Sequence, residues 1–320
     1  SRPPSFGEAN VLDKPAWIQR IKPFAAKTRA GQLAASRVRA EMLLAVDDLV
    51  ANVVATLRST GQLDNTVLIF TSDNGFMAGE HRIKTGKEVG YNESLSVPLL
   101  IAGPNIPILN IPDLVGNIDL APTIADLAGV QPALEVDGRS LLPLISQGTR
   151  WRGRAIVHKI LGDPSSDGLS GKHPGGSAVS TQRFKYVALA TGEQELYDLA
   201  TDPYELTNVA GAAKYAELRS SMAALLDSLK TCRGASCSQA LSNVPPTPIA
   251  SVRCGTYFDC SFDASASNDV DGTVTDVTWD FGDGTSGSGT AASHTYDTSG
   301  YYTVTMTVTD DDGASELKSA

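Results

Sequence analysis

The sequence lacks several features that mark large classes of protein. It has no apolar run of about 18 residues, so it predicts no membrane span. Lys and Arg number 26 against 36 for Asp and Glu, and the formal net charge is −10. Nucleic-acid binding needs a basic surface, so this balance argues against a nucleic-acid partner. With 42% hydrophobic and 19% charged residues, the composition is that of an ordinary globular protein.

The chain also lacks an initiator Met and a signal peptide. It opens on Ser1, Arg2 and two prolines, and residues 1–31 contain no secretory leader. We therefore expect a fragment or a processed product. The length of 320 residues is enough for two domains.

Cysteine is scarce, and its spacing does not fit the common zinc motifs. The four cysteines form two close pairs, Cys232 with Cys237 and Cys254 with Cys260, without C-x-x-C spacing and without a nearby His. We predict two local disulfides, which imply an oxidising compartment and a secreted or extracellular protein. The alternative is four free thiols in a reducing compartment.

The most informative stretch is a strand followed by hard oxygen ligands. Residues 66–70 are mostly apolar, β-branched or aromatic, without polar alternation, so they predict a fully buried parallel strand. Asp73 and Asn74 follow at its carboxyl end, where ligands gather in open α/β sheets. With the cation Lys87 later in the same loop, these residues outline a site for a metal ion and a tetrahedral oxyanion.

An ordinary turn is the alternative at this place. Asn74-Gly75 is a turn signal on its own and needs no function. The loop from Gly75 to Leu95 favours function, because loops of this length inside globular domains are uncommon and are usually functional or disordered.

The first 150 residues show an α/β pattern. A helical period covers about residues 33–57, a second buried strand covers 96–102, and a short helix covers 118–127. Because strand, helix and strand alternate, we expect a parallel sheet covered on both faces.

After residue 150 the pattern changes twice. Strands at 183–189 and 195–199 and a helix at 212–229 indicate a small α+β subdomain. Beyond a proline-rich linker, strict alternation at 302–309 predicts a small β-sandwich. The predicted domains are residues 1–150, residues 151–241, the linker 242–247 and residues 248–320.

The first 240 residues resemble the C-terminal half of the sulfatase family. The motifs that carry the resemblance are Thr71-Ser-Asp-Asn-Gly75, Gly79-Glu-His81, Gly86-Lys87, Val97-Pro-Leu99, Ile118-Asp-Leu-Ala-Pro-Thr123 and the segment 195–208. The opening residues 4–17 are similar to those of N-acetylglucosamine-6-sulfatases. The resemblance implies a partial alkaline-phosphatase-like α/β core and hydrolysis of a carbohydrate or aryl sulfate.

The last part of the chain resembles a PKD domain. The matching segments are 262–265, 269–272, 279–284, 294–296 and 302–305. This resemblance implies an all-β, immunoglobulin-like sandwich, and contact with a polysaccharide or a protein. For Asp269 and Asp271, with the acidic run 310–312, we favour an ordinary Asp-x-Asp-Gly turn over the alternative of a calcium site.

The sulfatase resemblance also assigns roles to single residues. Asp73 and Asn74 match two calcium ligands, and calcium accepts carboxylate and amide oxygens. Lys87 matches a sulfate-binding lysine, with Lys84 as its competitor. His81 is a candidate for a catalytic or substrate contact, and the alternative is a loop histidine bonded to the backbone.

Sulfatases use a formylglycine nucleophile, made from Cys or Ser in the sequence C/S-x-P-x-R. No Cys or Ser of this chain begins that pattern, so we expect the chain by itself to be inactive and the formylglycine to lie upstream.

Two other functions are alternatives to a sulfatase. A two-metal phosphatase of the same fold is disfavoured, because Asn74 follows Asp73 and the chain has only four histidines. A non-catalytic secreted binding or adhesion protein is supported by the missing nucleophile.

Overall fold

The computed structural model describes residues 2–147, 151, 153–162, 173–238, 240, 242–255 and 258–319. The chain divides into two units. Unit 1 comprises Ser1–Gly211 and Met222–Leu241, and unit 2 comprises Ala212–Ser221 and Ser242–Ala320.

Unit 1 contains both helices and strands, and its last four strands follow one another in the chain. The helices are α1 (Ala16–Gln19), α2 (Ala26–Ser59), α3 (Asn92–Leu95), α4 (Leu120–Leu127), α5 (Leu142–Gln147) and α6 (Ala216–Leu229). The strands of unit 1 are β1 (Leu68–Thr71), β2 (Leu99–Ala102), β3 (Ile156–Ile160), β4 (Gly176–Ser180), β5 (Phe184–Leu189) and β6 (Gln194–Asp198).

The strand before Asp73 differs from its prediction. β1 pairs with β2 in a two-stranded antiparallel sheet, with Leu68 opposite Ala102, and Phe70 is 41% exposed. The prediction of a fully buried strand in a parallel sheet covered on both faces is therefore wrong. Parallel pairs need a long crossover, usually helical, whereas the connection here holds only the four-residue α3. The chain turns back instead, and the two strands run in opposite directions.

The predicted helix at 33–57 is confirmed and is longer, because α2 spans Ala26–Ser59. None of its residues is buried, and Met42 and Leu49 on its apolar stripe are 67% and 61% exposed. The helical period therefore identified the helix, and no described residue buries its apolar stripe.

The predicted strands at 183–189 and 195–199 are confirmed as the antiparallel pair β5 and β6. β3 and β4 extend them to a four-stranded antiparallel sheet in chain order. The N-terminal segment and the loop after β1 pack on this sheet. The buried residues of this core are Val11, Trp17, Ile18, Met77, Val89, Tyr91, Ile160, Ala178, Val187, Leu189 and Tyr197.

The predicted helix at 118–127 is confirmed as a short 3₁₀ turn, Asn117–Asp119, followed by α4. Buried Asp119 accepts hydrogen bonds from the backbone N–H of Gly116 and Arg139, both at 2.8 Å. Its third partner is the Arg154 guanidinium at 2.6 Å, so this buried carboxylate is fully paired.

The part of unit 2 after residue 242 is the predicted all-β sandwich. Its strands are β7 (Ser251–Cys254), β8 (Asp259–Asp263), β9 (Val274–Asp280), β10 (Ser286–Ser288), β11 (Ala291–Thr295), β12 (Thr305–Asp310) and β13 (Ser315–Ser319). They form two antiparallel sheets, β10-β9-β12-β13 and β11-β8-β7. Trp279, Phe281, Val304 and Val308 lie in the core of the sandwich, and Tyr302 packs against it partly buried.

Both predicted disulfides are present. The Cα atoms are 5.1 Å apart in Cys232–Cys237 and 4.0 Å apart in Cys254–Cys260. No helix among the described residues combines the length and the apolar character that a membrane span requires.

Candidate functional site

The turn after β1 presents the two predicted metal ligands. The Asp73 Oδ1 atom accepts a hydrogen bond from the Asn74 backbone N–H at 2.9 Å, and the Asp73 side chain is 81% exposed. The Asn74 Nδ2 atom donates to the Gly75 carbonyl at 2.8 Å. This bond fixes the amide orientation, with the Nδ2 atom on the side of the Gly75 carbonyl.

Lys87 lies against both of these residues. Its Nζ atom donates to the Asn74 Oδ1 atom at 2.8 Å and lies 3.9 Å from the Asp73 Oδ2 atom. Lys84 is exposed and makes no hydrogen bond or ion pair with any described residue. The structure therefore brings together Asp73, Asn74 and Lys87.

The position of this turn is set by α3. The Gly75 N–H donates to the Ser94 carbonyl at 3.0 Å, and a Cβ atom at Gly75 would lie 2.1 Å from the Glu93 carbonyl oxygen. Only glycine permits this approach of two backbones. The metal-ligand turn and α3 therefore form one local unit.

α3 is in turn held by buried charged groups. The Asn92 backbone N–H donates to the Glu205 Oε2 atom at 2.7 Å, and the Lys185 Nζ atom donates to the Asn92 Oδ1 atom at 3.0 Å. Lys185 and Glu205 form an ion pair with each other, and both side chains are 0% exposed. We call the surrounding group the buried polar cluster. Its members are Glu8, Lys14, His81, Tyr91, Glu93, Lys185, Glu195, Tyr197 and Glu205.

His81 belongs to this cluster and is fully buried. Its Nδ1 atom lies 2.7 Å from the Glu8 Oε2 atom, its Nε2 atom lies 3.7 Å from the Glu93 Oε2 atom, and its ring stacks on Tyr91 at 3.9 Å. Burial lowers the pKa of His81, but the hydrogen bonds to Glu8 and Glu93 outweigh it, so the pKa is raised above its ordinary value. These partners do not include Asp73, Asn74 or Lys87.

The other half of the cluster joins the N-terminal segment to the sheet. The Glu195 carboxylate accepts hydrogen bonds from the hydroxyls of Tyr91 and Tyr197. Lys14 donates to the Tyr197 hydroxyl at 3.1 Å and to the Glu205 backbone carbonyl. Sequence reasoning missed Glu8, Lys14, Lys185 and Glu205, since no motif marks a charged residue as buried.

Two places in unit 1 offer ligand atoms to a metal ion. His81, Glu93 and Glu205 have ligand atoms within 4.8 Å of one another. There the Lys185 ammonium already pairs with Glu205, and the His81 ring lies between Glu8 and Glu93, so these groups already have partners. Asp73 and Asn74 offer accessible oxygens of the kind that a hard divalent cation prefers, and they fit a metal better.

A pocket of about 540 Å³ opens beside Asp73 and Asn74. Its polar lining includes Asn92, Asn117 and His158, and its apolar lining includes Leu95 and Ile156. This volume is typical of small-molecule sites. The structure therefore places the candidate metal ligands at a pocket large enough for a small organic ester.

Comparison with known families covers most of the chain. The sulfatase family matches residues 15–130, and the C-terminal region of N-sulphoglucosamine sulphohydrolase matches residues 79–232. The PKD domain matches residues 243–320.

Individual relatives agree with this assignment. An arylsulfatase of Volvox carteri is 36% identical over 265 residues, which cover 72% of this chain and 39% of that protein. The N-acetylglucosamine-6-sulfatase of Homo sapiens is 34% identical over 232 residues, which cover 63% of this chain and 42% of that protein.

A solved protein in complex with its substrate D-glucosamine-2-N,6-O-disulfate is also similar. It has a TM-score of 0.50 and 31% identity, over 58% of this chain and 38% of that one. The chain spans about two fifths of the length of the two sulfatase relatives. On these matches, the chain belongs to the sulfatase family and carries a PKD domain at its C-terminal end.

Proposed function

We propose that the full-length gene product carrying this chain hydrolyses the sulfate ester of a carbohydrate. One observation carries the proposal: Asp73 and Asn74 line one pocket, and the Lys87 ammonium lies against both of them. This is the combination of charges that a metal ion and a sulfate group require, and it occurs in a chain of the sulfatase family.

Asp73 and Asn74 are the proposed ligands of a calcium ion. Such an ion neutralises charge on a sulfate oxygen as the S–O bond breaks. The bond from Asn74 to the Gly75 carbonyl fixes the amide whose oxygen would bind the ion, and the contact of Gly75 with α3 holds the turn in place.

Lys87 is the proposed sulfate ligand. Its ammonium offers three donors and lies beside the metal ligands, with 46% of the side chain exposed. At an effective dielectric constant of about 20, a charge pair at about 4 Å is worth roughly 4 kcal/mol before desolvation. Lys87 therefore binds the anionic group and stabilises the charge that develops on it.

His81 is proposed as a support of the loop. A direct contact with substrate is not favoured, because the ring is fully buried between Glu8, Glu93 and Tyr91. Its interactions tie the loop to the N-terminal segment and to α3, and α3 supports the Asn74 turn.

The relatives support a sulfated amino sugar as the substrate. One is an N-acetylglucosamine-6-sulfatase, and one solved structure holds a glucosamine disulfate. An aryl sulfate is the second substrate class, which the algal arylsulfatase supports.

The remaining proposals concern the C-terminal part and the compartment. We propose that residues 248–320 form an independent domain after the linker 242–247, and that this PKD domain contacts a polysaccharide or a protein. The two disulfides support secretion into an oxidising compartment.

The test compares two lysines of one loop in the full-length gene product. Lys87→Ala should lower the hydrolysis of phenyl sulfate and of N-acetylglucosamine 6-sulfate by about 100- to 1000-fold, as for the loss of one preorganised electrostatic contact. Lys84→Ala is the matched control and should change the rate little, because Lys84 is exposed and contacts no described partner. Equal, mild effects of the two substitutions would contradict the assignment.

A further inference from the structure

The wall of the pocket formed by β3 carries a histidine that the proposed sulfate site does not use. His158 is the central residue of β3 and lies opposite Ala178 of β4. Ile156, two residues earlier on β3, lies opposite Ser180. Residues two apart on a strand share a face, and both His158 and Ile156 line the pocket. His158 therefore belongs to the lining of the pocket that Asp73 and Asn74 also line.

The orientation of the His158 ring is fixed by its neighbour. The Nε2 atom lies 3.0 Å from the Ser180 Oγ atom, and one of the two donates to the other. The Nδ1 atom has no hydrogen-bond partner among the described residues. One ring nitrogen is thus held by the sheet, and the other remains available to a ligand.

His158 is a neutral group at neutral pH. Burial lowers its pKa to about 4, and the nearby Lys185 ammonium acts in the same direction. A neutral imidazole offers one donor and one acceptor, which suits a hydroxyl group. It adds no positive charge for a sulfate group, which the Lys87 ammonium provides.

Two other side chains on this side of the pocket are also uncharged. The Gln182 Nε2 atom donates to the Pro112 carbonyl at 2.6 Å, and the Asn117 Nδ2 atom reaches the Asp73 carbonyl at 3.5 Å. Both amides are thus engaged with the backbone. Unlike these two amides, the His158 ring keeps one nitrogen, Nδ1, that no described residue engages.

We propose that His158 hydrogen-bonds a hydroxyl group of the sugar that carries the sulfate ester, and so selects sugar sulfates over aryl sulfates. This inference rests on the proposed function, because it takes the sulfate group to lie at Asp73, Asn74 and Lys87. It assigns the sugar to the β3 wall of the same pocket.

The test measures binding to this chain in the presence of calcium by NMR titration. The three probes are inorganic sulfate, phenyl sulfate and N-acetylglucosamine 6-sulfate. His158→Ala should weaken binding of the sugar sulfate about fivefold, the effect of one neutral hydrogen bond, and should leave the other two probes unchanged. His158→Gln, which keeps a neutral donor and acceptor, should restore part of the loss.

Lys84→Ala is the control. Lys84 is exposed and does not line the pocket, so its loss should not affect any of the three probes. The inference is overturned if the His158→Ala variant binds the sugar sulfate as tightly as the unsubstituted chain. It is also overturned if the variant binds all three probes equally more weakly, because that result indicates damage to the pocket.

The proposed function has its own readout in the same experiment. Lys87→Ala should weaken the binding of all three probes, whatever the effect at His158. If Lys87→Ala has this effect and His158→Ala has none, the inference fails and the sulfate site stands. If the unsubstituted chain binds none of the probes, the sulfate site and the inference both fail.

Discussion

The interiors of the two units are built from different chemistry. Unit 1 contains the buried polar cluster, in which Lys185 and Glu205 pair with both side chains fully buried. Unit 2 is filled by apolar and aromatic side chains such as Phe262, Trp279 and Val308. An apolar core stabilises by burial and tolerates changes of shape, whereas buried charges are stable only in the arrangement that pairs them.

The buried charges of unit 1 hold a short helix that supports the candidate site, whereas the apolar core of unit 2 holds two sheets together. The buried polar cluster contacts α3 through Asn92 and Glu93, and the adjacent residue Ser94 contacts the turn that carries Asn74. The core of unit 2 joins its two sheets. Buried charges are thus found where the placement of a short element matters, and we infer that they serve specificity more than stability.

The largest effect is expected from breaking the central ion pair of unit 1. Lys185→Met leaves Glu205 buried without its cation, and the loss of one partner of a buried pair costs about 3–5 kcal/mol. Urea unfolding of the 320-residue chain should show this loss in the transition of unit 1. Lys230→Met is the control, because Lys230 pairs with Asp227 at the surface, where such pairs contribute about 0–1 kcal/mol.

The double substitution Lys185→Met with Glu205→Gln sharpens the comparison. It removes both charges, so it should be less destabilising than Lys185→Met alone. A loss for Lys185→Met as small as that of the control would show that the two interiors do not differ in the proposed way.

The second effect concerns how far unit 2 depends on its disulfide. The segment 242–320, expressed alone, should unfold cooperatively, and reduction of Cys254–Cys260 should lower its stability by about 2 kcal/mol in the chain-entropy model. Thermal unfolding with and without reductant measures this. As a control in the whole chain, replacing Cys232 and Cys237 by Ser should leave the transition of unit 2 unchanged. Absence of any cooperative transition would refute the proposed domain boundary.

The smallest effect is a pH dependence of unit 2. Partial burial raises the pKa of Asp271 to about 7, and the neighbouring Asp269 carboxylate acts in the same direction. The ordinary pKa of Asp is about 3.9, so the folded state binds the proton more tightly than the unfolded state. The stabilisation is present below pH of about 4 and is lost as the pH rises through about 7.

The melting temperature of the segment 242–320 should therefore fall by a few degrees between pH 5 and pH 8, since Asp271 is only half-buried and solvent weakens the effect. Asp271→Asn should remove most of this fall, and Asp276→Asn at an exposed position should not. EDTA in the buffer excludes bound calcium. An unchanged pH dependence in Asp271→Asn would assign the effect to other groups.

Patterns that repeat along the chain were predicted well. The alternation of Val304, Met306 and Val308 identified the buried face of β12, and the helical period identified α2. The motif residues Asp73, Asn74 and Lys87 were expected to lie together, and they do. These signals are local, so one sequence is enough to show them.

Features that depend on distant partners were not predicted. Lys185 lies between Phe184 and Tyr186, and nothing in that stretch shows that Glu205 and Asn92 will meet its ammonium. The direction of β1 relative to β2 was predicted wrongly, since an apolar run shows which faces avoid water and not which way a neighbour runs. His158 has no motif around it, and only the pocket distinguishes it.

The contact between Gly75 and α3 has a consequence for mutational scanning of this protein. Gly75 offers no side-chain atom to the proposed calcium ion or sulfate group, yet an added methyl group would lie 2.1 Å from the Glu93 carbonyl oxygen and would push the Asn74 turn away. A scan that scores activity should therefore rank position 75 beside the ligands themselves. A loss of activity on substitution of Gly75 would reflect the close approach of two backbone segments and not a chemical role of this residue.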